Sequence, residues 1–332
     1  MKTKCHIVVV LSLSIFLIQF SGMAQGSLTP PGAPAPTMKT ADQIYAKLDP
    51  RTVVNVVNTP GDSQNLFIIS NSGSYYLATN LVGVSGKNGI NIAANNVTLD
   101  LNGFAVQGSS GSQNGVYIYS PNNTTNVTVR NGTVSGWGGI GVFAAYGELT
   151  ANPNYQDTQD LVFEHLNLSG NGWQSSEDGI AAANCVIRDC QSQYNRGNGI
   201  SVWSGTVTGC LAQNNVFSGI FASGANNRII GNSCISNNLI QSVLGFGGIT
   251  YACTGSRIED NHCAGNRLIG IGATVGGGFP TNNFIIKNTV VGAGDNQNIY
   301  NYVLVAGNVF GPILNDSTGA ITNSSPWGNF SF

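Results

Sequence analysis

The stretch GIAAANCVIRDCQSQYNRGNGISVWSGTVTGCLAQNNVFSGIFASGANNRIIGN, residues 179–232, decides the fold. Gly179-Ile180, Gly199-Ile200 and Gly219-Ile220 recur in it at intervals of 20 residues. A second phrase follows each: CVIRDC (185–190), TVTGC (206–210) and RIIGN (228–232). Apolar and polar residues alternate within these phrases, which marks short strands, and Gly, Asn or Cys closes each one at a turn.

The same two phrases extend in both directions. Gly89-Ile90, Gly115-Val116 and Gly141-Val142 lie upstream, and Gly248-Ile249 and Gly270-Ile271 downstream, giving spacings of 26, 26, 38, 20, 20, 29 and 22. The second phrase recurs as NVTLDLNG (96–103), NVTVRNG (126–132), LVFEHLN (161–167), RIEDN (257–261) and FIIKN (284–288). A repeat of this length is one supersecondary unit that buries its apolar face only against its neighbours. Each coil then carries two or three short strands that pair with their copies above and below. One inward column runs from Ile90 through Val116, Val142, Ile180, Ile200, Ile220 and Ile249 to Ile271; another holds Val129, Phe163, Ile187, Val207, Ile229, Ile258 and Ile285. The predicted fold is all-β, a right-handed parallel β-helix. A leucine-rich horseshoe lacks its leucines here, a propeller needs antiparallel blades of about 40 residues, and the calcium-binding GGxGxD repeat is absent.

Glycines are expected to relieve corners of positive φ. Asn232, Asn261 and Asn288 fall into one column, where buried amides hydrogen-bond along the axis. Cys190 stacks on Cys210 and Cys234 on Cys263; disulfides and stacked free thiols both suit that spacing.

Composition agrees with short strands and tight turns. Charged residues make up 8%, Gly numbers 44 of 332, and the net charge is −2. This balance gives no long-range attraction to nucleic acid or anionic membranes. The N-terminus reads as a secretory signal over residues 1–24: Lys2 and Lys4, an apolar run from Ile7 to Phe20, then Gly22-Met23-Ala24 at the cleavage position. The expected location is secreted or cell envelope/periplasm, with no membrane span in the mature chain. Residues 25–37 form a Pro-rich linker. Residues 38–332 form a single β-helix domain that opens with a short capping helix over 38–49, its Ile44, Ala46 and Leu48 lying over the first coil. Ser325 to Phe332, with Trp327, Phe330 and Phe332, are expected to pack across the last coil as a lid.

The phrases NGI, VTLDLNG, VTVRNGTVSGWGG, RIEDNHCAGN and FIIKN, with the closing VLVAGNVFGPI, resemble bacterial right-handed parallel β-helix repeat proteins of the pectate-lyase-like superfamily. The resemblance spans about residues 40 to 332. It implies the fold and a polysaccharide or cell-surface glycan as partner, but no one activity, since that superfamily holds lyases, hydrolases, epimerases and proteins without assigned roles. The calcium-site acids and Arg/Lys base motif of pectate lyases are not matched, nor is the adjacent aspartate pair of polygalacturonases.

Charged residues are so scarce that their placement is informative. Aligning the second phrases puts Arg130, Glu164 and Arg188 in one outward column, with Asp100 above, and Asn131, His165 and Asp189 in the next. In a catalytic reading an arginine holds a uronate carboxylate, His165 or a desolvated Arg188 abstracts the C5 proton, and Glu164 or Asp189 tunes His165. In a structural reading the column is a cross-strand ion ladder of small energetic weight.

Tyr117, Tyr119, Phe143, Trp203 and Phe221 are outward aromatics suited to stacking on sugar rings, with Tyr117 and Phe143 on neighbouring coils. The insertion AYGELTANPNYQDTQD (145–160) is placed to wall a groove holding both these aromatics and the charged patch, or to cover apolar side chains. Tyr194 and Arg196, at a turn beside Trp173, are further candidate contacts. Arg257, Glu259, Asp260 and His262 read as a solvated surface, with Lys287 paired to Asp260. No metal site or cofactor motif is visible. Two functions stay open: a lyase- or hydrolase-like enzyme acting on a polysaccharide, such as one containing uronic acids, and a non-catalytic surface or matrix protein that binds a glycan or a partner.

Overall fold

The computed structural model describes residues 39–40, 44, 49–119, 124–144, 158–240, 245–274, 280–292, 300–315 and 325–332. The expected signal peptide, linker and nearly all of the capping helix lie outside these residues, as does most of the 145–160 insertion. The chain divides into two compact units, Met1–Pro50 and Arg51–Phe332, and the second is the β-helix.

Every ladder between named strands is parallel, and the strands fall on three faces. The first face is a sheet of ten strands whose successive members include Ile180–Ala183, Ile200–Trp203 and Ile220–Ala225. The second includes Cys185–Arg188, Thr206–Thr208 and Arg228–Ile230. The third includes Gln191–Gln193, Leu211–Gln213 and Ser233–Ile235. The second and third faces join into one sheet because two eleven-residue strands, Thr125–Ser135 and Gln159–Ser169, run round the corner between them. Val129 pairs with Phe163, Phe163 with Ile187, and Ile187 with Val207, as the stacking argument requires. Both inward columns named above are fully buried. A third column, including Val134, Leu168, Ala212 and Cys234, fills the core from the third face.

The glycines of the Gly-Ile/Val repeat do not serve corners. None of them has positive φ; a Cβ at Gly199 would meet the Gly219 carbonyl at 2.7 Å and the Asn215 amide at 2.6 Å, so the backbone approach of neighbouring coils leaves no room for one. Other glycines do serve corners as expected, among them Gly136, Gly170, Gly209, Gly231 and Gly265, and Asn, Asp and Ser in the left-handed region hold many others. Asn96, Asn126, Asp160, Asn184, Ser204 and Asn226 occupy one such column on successive coils. Short polar side chains tolerate that conformation better than others do.

Buried amides run along the axis. Asn232, Asn261 and Asn288 stack as expected, and Asn329 completes their ladder by accepting the Asn288 N–H at 3.0 Å. A second ladder joins Asn171, Asn195, Asn215, Asn237 and Asn266 through N–H to Oδ1 bonds of 2.9–3.1 Å. The C-terminal segment is not a lid. Asn329–Ser331 is a strand pairing with Thr289–Val291 on one side and Ile313–Asn315 on the other, and so adds a rung to the third face. The six cysteines from Cys185 to Cys263 are buried free thiols. Among the described residues no helix is long and apolar enough to cross a membrane.

Candidate functional site

The second face carries the charged column in register: Asp100 beside Arg130, Arg130 beside Glu164, Glu164 beside Arg188. Position 130 is outward because Val129 is inward, and the pleat alternates. Arg130 Nε lies 3.2 Å from Asp100 Oδ2 and its terminal nitrogen 3.9 Å from Glu164. Arg188 Nε donates to Glu164 Oε2 at 2.8 Å, and a terminal nitrogen donates to the same oxygen. Tyr76 and Val53 continue the column beyond Asp100, and Arg51, two rungs away, reaches back to within 3.6 Å of Asp100 while stacking over the Tyr76 ring at 4.6 Å.

The two charges differ in exposure. The Asp100 and Glu164 side chains are 9% and 12% accessible; those of Arg51, Arg130 and Arg188 are 28%, 38% and 49% accessible. Carboxylates lie underneath and guanidiniums outside, so the ladder presents cations although its charges alternate. Arg188 is half in water and is therefore not the desolvated arginine envisaged as a base.

Asn131, His165 and Asp189 form the corner between the second and third faces, all with left-handed backbone (φ 60°, 53° and 54°). The column continues through Gly209, Gly231, Asp260 and Lys287. His165 Nε2 stands 4.0 Å from Asp189 Oδ2. Both residues border a concavity of about 350 Å³ whose floor includes Thr133, Asn167 and Gln191 on the third face. Among the described residues, nothing hydrogen-bonds the buried Asn167 Oδ1. Sequence reading passed over Asn167, Thr133 and Gln191: the first two lie past the corner on the long strands Gln159–Ser169 and Thr125–Ser135, and Gln191 sits on a strand of only three residues, too short to show alternation.

The aromatic group sits elsewhere. Tyr117 stacks on Phe143 at 5.6 Å and on Tyr119 at 5.3 Å, but these residues belong to the first face. Ala181 and Ser201 separate Phe143 from Phe221 in that column, while Trp203 is flanked by Ala183 and Ser223. Tyr194 and Arg196 lie at the far edge of the third face, where the Arg196 guanidinium stacks over Trp173 at 4.0 Å. The described residues therefore join the charged column to the third face and leave Tyr117, Phe143 and Trp203 on the first.

Lys287 occupies the column of Asp260, yet its amine reaches Glu259 at 3.0 Å, not Asp260. Glu259 also accepts from Arg257, and these two cations, Arg257 foremost, hold its carboxyl down to about 2. Among the described residues no cluster of three His, Cys, Asp or Glu side chains could hold a metal ion.

No protein-family model matches the chain, and no curated protein matches it. Solved structures with similar backbones include the Dettilon tailspike protein (TM-score 0.49, 14% identity, 76% of this chain and 50% of that one). The A-module of the Azotobacter vinelandii mannuronan C-5 epimerase AlgE4 gives a TM-score of 0.46 at 16% identity, covering 78% and 88%. The alginate lyase from Paenibacillus sp. str. FPU-7 gives 0.40 at 13%, covering 78% and 90%. The chain spans about half the length of the tailspike it matches.

Proposed function

We propose that this chain is an exported protein that binds an extended acidic polysaccharide on the charged column and the adjoining concavity. One observation carries this: the guanidiniums of Arg51, Arg130 and Arg188 stand outside while the carboxylates that fix them are covered. The covered acids preorganise the arginines, which lowers the ordering cost of capturing a carboxylate. Neighbouring rungs lie about 4.8 Å apart, so Arg130 and Arg188, two rungs apart, stand about 10 Å apart along the axis, and Arg51 adds a third cation beyond Asp100. Cations spread over this length suit a polymer carrying several negative charges better than a single small anion.

The test is binding of uronic-acid polymers and neutral polysaccharides of similar length by calorimetry over a series of salt concentrations. Selective, salt-sensitive binding of the acidic polymers, weakened at least tenfold by Arg130→Ala with Arg188→Ala, is expected. Equal binding of neutral polymers, or indifference to the double substitution, would overturn the reading.

A second reading, catalysis at His165, is favoured by Asp189, whose carboxylate stands 4.0 Å from His165 Nε2 beside the concavity. In it His165 acts as the base and Arg188 holds the uronate carboxylate. Ultraviolet-absorbing unsaturated ends, or new reducing ends, lost in His165→Ala would support it; a panel of uronic-acid polymers yielding neither product would exclude it.

A further inference from the structure

We infer that Trp173, Tyr194 and Arg196 form a second subsite of the same binding face, taking an acidic sugar unit remote from the arginine column, so that the glycan crosses the third face instead of lying on the aromatic first face. This inference rests on the acidic-polysaccharide reading and extends it. Arg196 stacks on the Trp173 ring at 4.0 Å, and among the described residues no carboxylate lies within ion-pair distance of it. It thus differs from Arg51, Arg130, Arg188 and Arg257, each of which is matched by an acid. Trp173 and Tyr194 are 60% and 58% exposed, and a Cβ on Gly170, the coil neighbour of Tyr194, would lie 3.9 Å from the Trp173 indole nitrogen. An exposed cation stacked on an exposed aromatic offers an acidic sugar a carboxylate partner beside a stacking surface.

The backbone adds an independent sign. Tyr194 has φ 57° in a corner column otherwise formed by Gly136, Gly170, Asn214, Ser236 and Gly265. A bulky aromatic in the left-handed region carries a conformational cost, and here the ring makes up none of it by burial. His165 stands at the opposite edge of this face, also with left-handed backbone.

Between these edges the outward residues are polar. Asn167 and Ser169 on one rung, and Gln191 and Gln193 on the next, project outward around the buried Leu168 and Ser192. From Asp189 to Tyr194 the chain advances five residues, about 16 Å at strand rise. That is a span for several linked sugar rings, not one.

The experiment measures binding of oligouronates of two, four and six units to the full mature chain. The unmodified protein is expected to gain affinity as the probe lengthens. Trp173→Ala and Arg196→Ser should each remove about tenfold from the hexasaccharide's affinity and flatten that gain, with Trp173→Phe restoring part of it. Arg188→Ala should weaken all three lengths. Circular dichroism of each variant guards against misfolding. A length-dependent gain that survives both Trp173→Ala and Arg196→Ser would overturn this subsite and leave the arginine column standing. Failure of the unmodified protein to bind any oligouronate would overturn the polysaccharide reading itself.

Discussion

Arg188 donates twice to Glu164 across a single rung of the second face, and the pair is lopsided: the carboxylate is covered and the guanidinium half in water. Glu164 also faces Arg130 from the other side. Replacing it by glutamine keeps the shape and removes the shared counter-charge. Glu164→Gln should lower stability by about 1–2 kcal/mol in urea titrations, the scale of a partly buried charged hydrogen bond. The same variant should bind uronic-acid polymers more weakly, since Arg130 and Arg188 lose the carboxylate that orders them. Tighter binding would show that Glu164 opposes the ligand more than it orders the arginines.

The amide ladder on the third-face side should matter more. Asn215 is fully buried, donates to the Ser192 carbonyl and to Asn237 Oδ1 at 3.0 Å each, and accepts from Asn195. Asn215→Ala strands donors and acceptors on the coils above and below. A loss of about 2–4 kcal/mol is expected, and Asn215→Leu should fare no better, since the cost is unsatisfied polarity and not volume. Chemical denaturation measures it.

These two sites show what could be read in advance. The Gly-Ile/Val phrase and the strand phrase after it repeat strongly enough to stack Val129, Phe163 and Ile187 correctly, and that register places Arg130, Glu164 and Arg188 in one column. The third strand of each coil was harder to see. Segments such as Gln191–Gln193 are three residues long, so they hold one inward side chain and no visible period. With them went the Asn171 to Asn266 ladder, whose asparagines look like ordinary turn residues until they are found buried. Assigning Tyr117 and Phe143 to the groove of Arg188 failed for a related reason: alternation says whether a side chain points out, but the corners decide onto which face. Lys287 illustrates side-chain reach, since it shares a column with Asp260 yet bonds Glu259.

Two carboxyls should give stability opposite pH dependences. Around Asp178, loss of water pushes the carboxyl up to about 6, despite hydrogen bonds from Ser201 and the Asn198 N–H. Its folded value exceeds the ordinary 3.8, so the folded state holds the proton more tightly and stability falls as pH rises from about 4 to 6. Glu259 is held near 2 against an ordinary 4.5, so its contribution is present above about 4.5 and is lost as pH falls toward 2. Urea midpoints measured across pH 2 to 7 should show Asp178→Asn flattening the upper slope and Glu259→Gln the lower one. Exchanged effects would reverse the assignment.

Cys210 stands at the head of the ladder formed by Asn232, Asn261, Asn288 and Asn329, and its own N–H donates to Asn232 Oδ1 at 3.0 Å. Its sulfur points at the Ile187 carbonyl at 3.7 Å, just as Asn232 Nδ2 reaches the Val207 carbonyl, one rung on, at 2.9 Å. The thiol thus fills an amide's place and takes the Cys190 N–H as an amide oxygen would, but as a weaker donor and weaker acceptor. An amide there would make both bonds more strongly, so Cys210→Asn should stabilise the fold by about 1 kcal/mol while Cys210→Ala destabilises it. Denaturation midpoints of the two variants decide the matter. If both fall together, the corner is too tightly packed for the amide, and the thiols are there for their size.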